Sequence, residues 1–276
     1  GYELFSGVNV PSKAFGEFIE TTYKTPHVQA HDIERMKKDG EDFIILDSRP
    51  YSEYHAMNIP GGIDVPGAEL AYRIHDLAPN SKTKVVVNCA GRTRSIIGAQ
   101  SLINAGIPNP IMAVENGTMG WHLAGLKLER GQSRSFGDIS PNAHLIALKR
   151  AEAVRHRFDL KLVDEKVALA WMYDTSRSTF YLDVRDPSEF NTSHWPGAKS
   201  APGGQLVQAT DEYVGVRRAR LVLIDNDGVR ATMTASWLTQ IGWRDVYIMA
   251  GANASFKRPE IIAPLKLDPS TPSILV

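Results

Sequence analysis

Short apolar runs punctuate the chain: Phe43 to Leu46 in FIILD, Val85 to Val87 in VVVN, Phe180 to Leu182 in FYLD, and Leu221 to Ile224 in LVLID. Runs of this length, closed by a polar or turn-forming residue, predict strands buried on both faces, as in a parallel sheet. Each is followed by a turn-rich segment and then an amphipathic stretch. In SIIGAQSLINAG, Ile96, Ile97, Ala99, Leu102 and Ile103 fall on one helical face, and Gly106 ends it. The alternation predicts an α/β fold with a central parallel sheet flanked by helices.

The pattern occurs twice. FIILDSRPYSEYHAMNIPGG (43–62) aligns with FYLDVRDPSEFNTSHWPGA (180–198), pairing Asp47 with Asp183, Arg49 with Arg185, Glu53 with Glu189, Pro60 with Pro196 and Gly61 with Gly197, each 136 positions apart, as 47 and 183 are. The same offset carries Val85, Val86 and Val87 onto Leu221, Val222 and Leu223, Arg94 onto Arg230, Leu102 onto Leu238 and Gly106 onto Gly242. ENGTMGW (115–121) then answers AGANASF (250–256) at an offset of 135. A register held this long identifies a tandem duplication. The expected organisation is a lead segment over 1–22, a first domain over 23–130, a linker helix over 131–158 and a second domain over 159–276. Ser140 as N-cap and Pro141 at the first helical position mark the start of the linker helix. Its Lys149, Arg150, Arg155 and Arg157 read as a solvated basic face in preference to a phosphate or nucleic-acid contact.

Composition narrows the function classes. With 31 basic and 31 acidic residues the formal charge is zero, so neither nucleic acid nor an anionic membrane is an expected partner. No apolar run of about 18 residues is present, and GYELFSGVNV lacks the order of a signal peptide. A single cysteine, Cys89, cannot form an internal disulfide, which fits a reducing, cytoplasmic setting. The first residue is glycine rather than methionine, so flanking domains are expected.

Cys89 stands in VVVNCAGRTRS, where a buried parallel strand turns toward a helix, and α/β proteins place ligands at this edge of the sheet. Ala90, Gly91, Arg92, Thr93, Arg94 and Ser95 are small or flexible enough for the loop to curl its N–H groups inward, and a helix starting near Ser95 adds its N-terminus. Such a cradle, with Arg92 and Arg94 nearby, favours a thiolate over a thiol. A buried cysteine that only packs is the competing reading, and a packing role calls for no two arginines within five positions. In the second copy the loop reads DNDGVRA, and Asp225 takes the place of Cys89 with a charge that mimics the thiolate. A calcium loop is disfavoured there, because Gly228 comes too early and Ser236 stands where glutamate is needed.

CAGRTRS after VVVN, with LDSRPYSEYHAMNIPGG upstream, resembles the rhodanese sulfurtransferases, whose domains carry an aspartate-x-arginine strand end, a proline-glycine turn and a loop opening on the catalytic cysteine. The likeness covers both repeats, roughly Pro26 to Trp121 and Leu162 to Phe256, and the second keeps the family's histidine before the turn, His194, where the first has Asn58. The resemblance implies that Cys89 takes sulfane sulfur as a persulfide from a small anionic donor such as thiosulfate and passes it to cyanide or a thiol, without metal or organic cofactor. It implies substrate binding by Ala90, Gly91, Arg92, Thr93, Arg94 and Ser95, with Arg92 and Arg94 meeting the donor's charged end. Mercaptopyruvate-using relatives carry a nearly neutral C-G-S/T-G-V-T loop, so the two cations here point to thiosulfate, with a glutathione or protein persulfide almost as well matched.

Asp47 and Arg49 could brace the loop as a buried pair, and because Asp183 and Arg185 persist without a cysteine, this supporting role outweighs a catalytic one. Glu53 reads as structural for the same reason, and His55 receives no catalytic role. Cysteine phosphatases of similar shape need C-x5-R; here the sixth position after Cys89 is Ser95 and Arg94 is the fifth, which leaves the loop one residue short. A phosphatase or arsenate reductase is therefore one alternative, and a sulfur-carrying or regulatory binding module another. In familiar two-domain rhodaneses the cysteine belongs to the second domain. The reversed order here marks either a different subgroup or a pair from a longer array whose neighbouring rhodanese domains are partners.

Overall fold

The computed structural model describes residues 11–249, 251, 256 and 257. Helix α1 (Pro11–Tyr23) precedes a parallel five-stranded sheet ordered β1-β5-β4-β2-β3, formed by β1 (His27–Val28), β2 (Phe43–Asp47), β3 (Ile63–Asp64), β4 (Lys84–Asn88) and β5 (Ile111–Val114). Between the strands run α2 (Ala30–Lys38), α3 (Tyr51–Ala56), α4 (Glu69–Leu77) and α5 (Thr93–Asn104), and α6 (Gly117–Leu123) follows β5. Helix α7 (Pro141–Arg157) leads to a second parallel sheet, β6-β10-β9-β7-β8, built from β6 (Lys161–Leu162), β7 (Thr179–Asp183), β8 (Lys199–Ser200), β9 (Arg220–Ile224) and β10 (Val246–Met249). Its helices are α8 (Glu165–Met172), α9 (Pro187–Thr192), α10 (Gly203–Gln208), α11 (Thr210–Tyr213) and α12 (Val229–Ile241). The fold is the α/β duplication read from the sequence. The segment aligned with Glu115–Trp121 lies mostly outside the described residues, which include only 251 and 256 of it.

The period-two alternation of the strands divides the core. Val85 and Val87 join Leu46, Leu70 and Leu102 on one face, while Val86 joins Ile45, Ile33 and Trp121 on the other. In the second sheet Leu221 and Leu223 belong to the first of these clusters, and Val222 and Ile224 pack outward with Trp195. The inward faces of both repeats thus form one continuous apolar core, so neither repeat buries its strands alone.

The repeats meet about an approximate two-fold axis, on which equivalent residues touch reciprocally. Trp237 Nε1 donates to Ser101 Oγ at 2.6 Å, and these positions correspond in the repeat. Glu69 of the first repeat accepts from Arg230 of the second at 2.7 Å, while Gln205, the counterpart of Glu69, accepts from Arg94, the counterpart of Arg230, at 3.1 Å. A Cβ on Gly67 would lie 3.0 Å from Gly204 Cα, so the backbones approach as closely as glycine allows.

Helix α7 begins as its sequence predicts, with Ser140 Oγ accepting from Ala143 N at 3.2 Å and Pro141 in the first turn. Its small stripe of Ala143, Ala147, Ala151 and Val154 is buried between α4 and α12, which ties the linker to both repeats. No described helix is long and apolar enough to cross a membrane.

Candidate functional site

Strand β4 ends at Asn88, and Cys89 follows at the carboxyl edge of the first sheet. The chain bends through Ala90, Gly91 and Arg92, and α5 begins at Thr93, two residues before Ser95, so Ser95 sits in the first helical turn. Cys89 is 1% exposed, whereas Ala90 to Arg94 are half-buried. Its thiol donates to Ser95 Oγ at 3.5 Å, and the Ser95 hydroxyl donates to the Arg92 carbonyl at 2.8 Å.

The backbone of this loop is fixed by the first turn of α6. Cys89 and Ala90 carbonyls accept from Thr118 N at 2.8 Å and Met119 N at 3.0 Å. Gly117 makes that approach possible: its φ is +54°, and a Cβ there would stand 2.3 Å from the Cys89 oxygen. Asn88, buried, donates to Asp47 Oδ2 and Thr118 Oγ1, both at 2.9 Å, joining the ends of β2, β4 and α6. Asp47 and Arg49 form a buried bidentate pair at 2.8 and 2.7 Å, with Arg49 donating also to the Met57 carbonyl at 2.7 Å. Burial alone would lower the Arg49 pKa, but the Asp47 hydrogen bonds and charge and the more distant charge of Glu53 outweigh it and raise it. Asp183 and Arg185 repeat the arrangement at 2.9 and 2.6 Å, with Ser193 O in place of Met57 O.

Both loop arginines are committed to carboxylates. Arg94, 9% exposed at its side chain, is bidentate on Glu53 at 2.7 and 2.8 Å. Its counterpart Arg230 binds Glu189 in the same way and adds Glu69, so this pair belongs to the scaffold of both copies. Arg92 reaches α1, where its Nη2 lies 2.5 Å from Glu20 Oε2 and its Nη1 3.5 Å from Glu17 Oε1. The loop therefore brings Cys89, Ala90, Gly91, Thr93 and Ser95 together, but Arg92 and Arg94 do not confront a donor as uncompensated cations. The reason is chemical: a guanidinium near carboxylates pairs with them, and the partners stand 41 and 72 positions away in sequence. His55 is exposed and bonded to Gln132 O at 3.0 Å.

Sequence reasoning passed over Asn88, Thr118, Gly117, Glu17 and Glu20. One signal was available for Asn88. Its counterpart in the repeat is Ile224, so a polar residue closes β4 only in the copy that carries the cysteine.

The Asp225 loop shows what the same backbone does with an anion. Asp225 is fully buried, and its carboxylate accepts from Gly228 N at 2.6 Å and Ala231 N at 3.0 Å. Those amides correspond to Arg92 N and Ser95 N in the first copy. Burial, with the nearby Asp227 charge, nevertheless pushes the Asp225 pKa up to about 6. Among the described residues no cluster of three or more His, Cys, Asp or Glu side chains is placed to hold a metal ion.

A crystal structure described as thiosulfate sulfurtransferase from Pseudomonas aeruginosa is similar over 88% of this chain, with 53% identity and a TM-score of 0.85. An HTH-type transcriptional regulator of Mycobacterium tuberculosis is 31% identical over 107 residues, 39% of this chain. The chain spans 46% of the length of each. The model of the rhodanese-like domain matches twice, over residues 29–124 and 167–258, and with more than half its length so matched the chain belongs to the rhodanese-like domain family.

Proposed function

We propose that the protein is a sulfurtransferase that carries sulfane sulfur on Cys89, taking it from thiosulfate or a related donor and delivering it to cyanide or a thiol. The observation that carries this reading is the pairing of Cys89 with Asp225: the same loop accepts a carboxylate on two backbone amides in the copy without the cysteine. A loop that holds one anion at that position suits a thiolate and its persulfide in the other copy. The 53% identical relative described as a thiosulfate sulfurtransferase supports the same chemistry.

The steps balance without a redox partner. The Cys89 thiolate attacks the outer sulfur of thiosulfate, the S–S bond of the donor breaks with its electron pair on sulfite, and a Cys89 persulfide anion remains. Cyanide or a thiolate then attacks the terminal sulfur, and the pair of the Cys89 S–S bond returns to Cys89 as thiolate, a ping-pong sequence. Ser95, which accepts from the thiol, can turn its hydroxyl to donate to the thiolate. Asp47, Arg49 and the Glu53–Arg94 pair position the loop, while Ala90, Gly91, Arg92 and Thr93 line its rim. We read residues 23–130 as the active unit and 159–276 as the unit without the cysteine, joined by 131–158. A lone thiol that must stay reduced suits the cytoplasm.

Incubation with thiosulfate followed by intact mass measurement tests the reading. The expected result is a gain of one sulfur atom that dithiothreitol reverses and that Cys89→Ser abolishes. Steady-state formation of thiocyanate then distinguishes an enzyme from a sulfur-carrying module. No sulfur gain, with hydrolysis of an aryl phosphate instead, overturns it.

A further inference from the structure

Two ion pairs flank the Cys89 loop, and the duplication separates their roles. Glu53–Arg94 recurs as Glu189–Arg230 in the copy that has no thiol, so it serves the scaffold. The contact of Arg92 with Glu17 and Glu20 has no such counterpart, because the residue equivalent to Arg92 is Gly228. It is found only beside the cysteine.

Helix α1 is laid directly against the end of the loop. A Cβ on Gly16 would lie 3.0 Å from Thr93 Cγ2 and 3.3 Å from Thr93 Cα, and Thr93 opens α5. Glu17, next to Gly16, and Glu20 one turn on face Arg92, with Glu20 Oε2 accepting from both Nε at 3.2 Å and Nη2 at 2.5 Å. Among the described residues the two loop cations meet the carboxylates of Glu17, Glu20 and Glu53. Arg92 and its carboxylates thus stand half-buried at the rim of the loop that holds Cys89, whose own surface is 1% exposed.

We infer that Glu17 and Glu20 of α1 are specificity-determining residues, which cancel the Arg92 charge and so lower the preference of the loop for a small dianion relative to sulfur donors of lower negative charge. The inference rests on the sulfur-transfer reading for its substrate class, but its electrostatic core does not. Two carboxylates at the rim of a half-buried loop raise the energy of an incoming dianion twice as much as that of a monoanion. They leave a neutral reagent unaffected. A role confined to gluing α1 in place predicts instead that their loss changes access for every reagent equally.

The single cysteine makes the test clean, because the adduct seen by intact mass that Cys89→Ser abolishes is at Cys89. Iodoacetate and iodoacetamide are close in size and differ by one charge. In the Glu17→Gln/Glu20→Gln protein the ratio of their rates at Cys89 is expected to rise on the order of fivefold at low salt and to fall back toward one at high salt. Arg92→Gln added to that protein removes the gain. For sulfur loading, the advantage gained with thiosulfate exceeds that gained with a monoanionic aryl thiosulfonate. A ratio that stays within about 1.5-fold of wild type at low salt, while both rates rise or fall together, overturns the inference. A shifted ratio in a protein that gains no sulfur from either donor overturns the sulfur-transfer reading and leaves the charge screen standing.

Discussion

The Cys89 loop and the Asp225 loop leave equivalent strands, enter equivalent helices and rest on equivalent Asp–Arg pairs, yet their side chains face in different directions. In the second loop the polar groups serve cohesion. Asp225 turns inward onto two amides, Asp227 accepts from Tyr72 at 2.9 Å and contacts His144 Nε2 at 2.8 Å, and Arg230 binds Glu69. These contacts join the second repeat to the first and to α7. In the first loop Gly91 stands in place of Asp227, and Arg92 pairs with Glu20 of α1. The same loop scaffold has been kept twice. One copy fills it with a protein carboxylate and builds the interface, and the other leaves it to a thiol.

The largest expected effect comes from exchanging the two residues. Cys89→Asp is expected to lose sulfur loading completely while keeping its melting temperature within about 5 °C of wild type, because the loop already supports a carboxylate in the other copy. Cys89→Ser/Asp225→Cys gives the second loop a thiol beneath Tyr72, His144 and α7, and we expect no sulfur gain from thiosulfate by intact mass. Loading of that relocated thiol at a rate near that of wild-type Cys89 would mean that the loops differ only in the thiol, and the comparison would fail.

The reciprocal arginines sharpen it further. Arg230 is fully buried between Glu69 and Glu189, whereas Arg94 faces a partly exposed Glu53 and the neutral Gln205. Arg230→Met strands two carboxylates and is expected to cost about 3–5 kcal/mol, against about 1–2 kcal/mol for Arg94→Met, both read from urea denaturation. Equal costs would show that the interface weighs the two repeats alike. A Cβ at Gly117 meets the Cys89 carbonyl, so Gly117→Ala is expected to cost about 2–4 kcal/mol and most of the activity. Gly91→Ala, with no atom within 4 Å of its Cβ, is expected to cost less than about 1 kcal/mol.

What the chain displays to a reader depends on the range of the physics. Apolar runs such as Val85 to Val87 act locally, so strands, helices and the duplication are legible without coordinates. Cys89 is legible because its loop has a second copy to compare. The pairing of Arg92 with Glu20 is not, since a charge in sequence carries no mark of the countercharge 72 positions away. The Glu53–Arg94 pair is half-legible: both members recur at the same offset as Glu189 and Arg230, which marks each as part of the scaffold without showing that they touch. Nor does any local pattern reveal that Gly67 and Gly204 touch, because the two-fold contact is a property of the assembled repeats.

An effect that shows only as the pH rises concerns the end of β3, where the first repeat has Asp64 and the second Ser200. Asp64 is 3% exposed and its Oδ1 has no hydrogen-bond partner. Burial foremost, then repulsion from Asp47 and Asp186, pushes its pKa up to about 7 against the opposing pull of Arg49. A carboxyl whose folded pKa exceeds its unfolded value of about 4 holds a proton in the native state that the unfolded chain releases. Its contribution to stability therefore falls as pH rises from about 4 to about 7, and the penalty for ionising it in place is complete above that window. Asp64→Asn keeps the shape and removes the charge. The variant is expected to match wild type near pH 4 and to exceed it by about 1–3 kcal/mol near pH 8, as measured by urea unfolding across the range. Asp225, pushed up to about 6 in the other repeat, adds a slope of the same sign, so the flattening produced by Asp64→Asn alone is partial. Parallel profiles for wild type and variant would place the pH dependence elsewhere. A flattened one would show that the repeats differ in their response to protons at a strand end where neither carries the thiol.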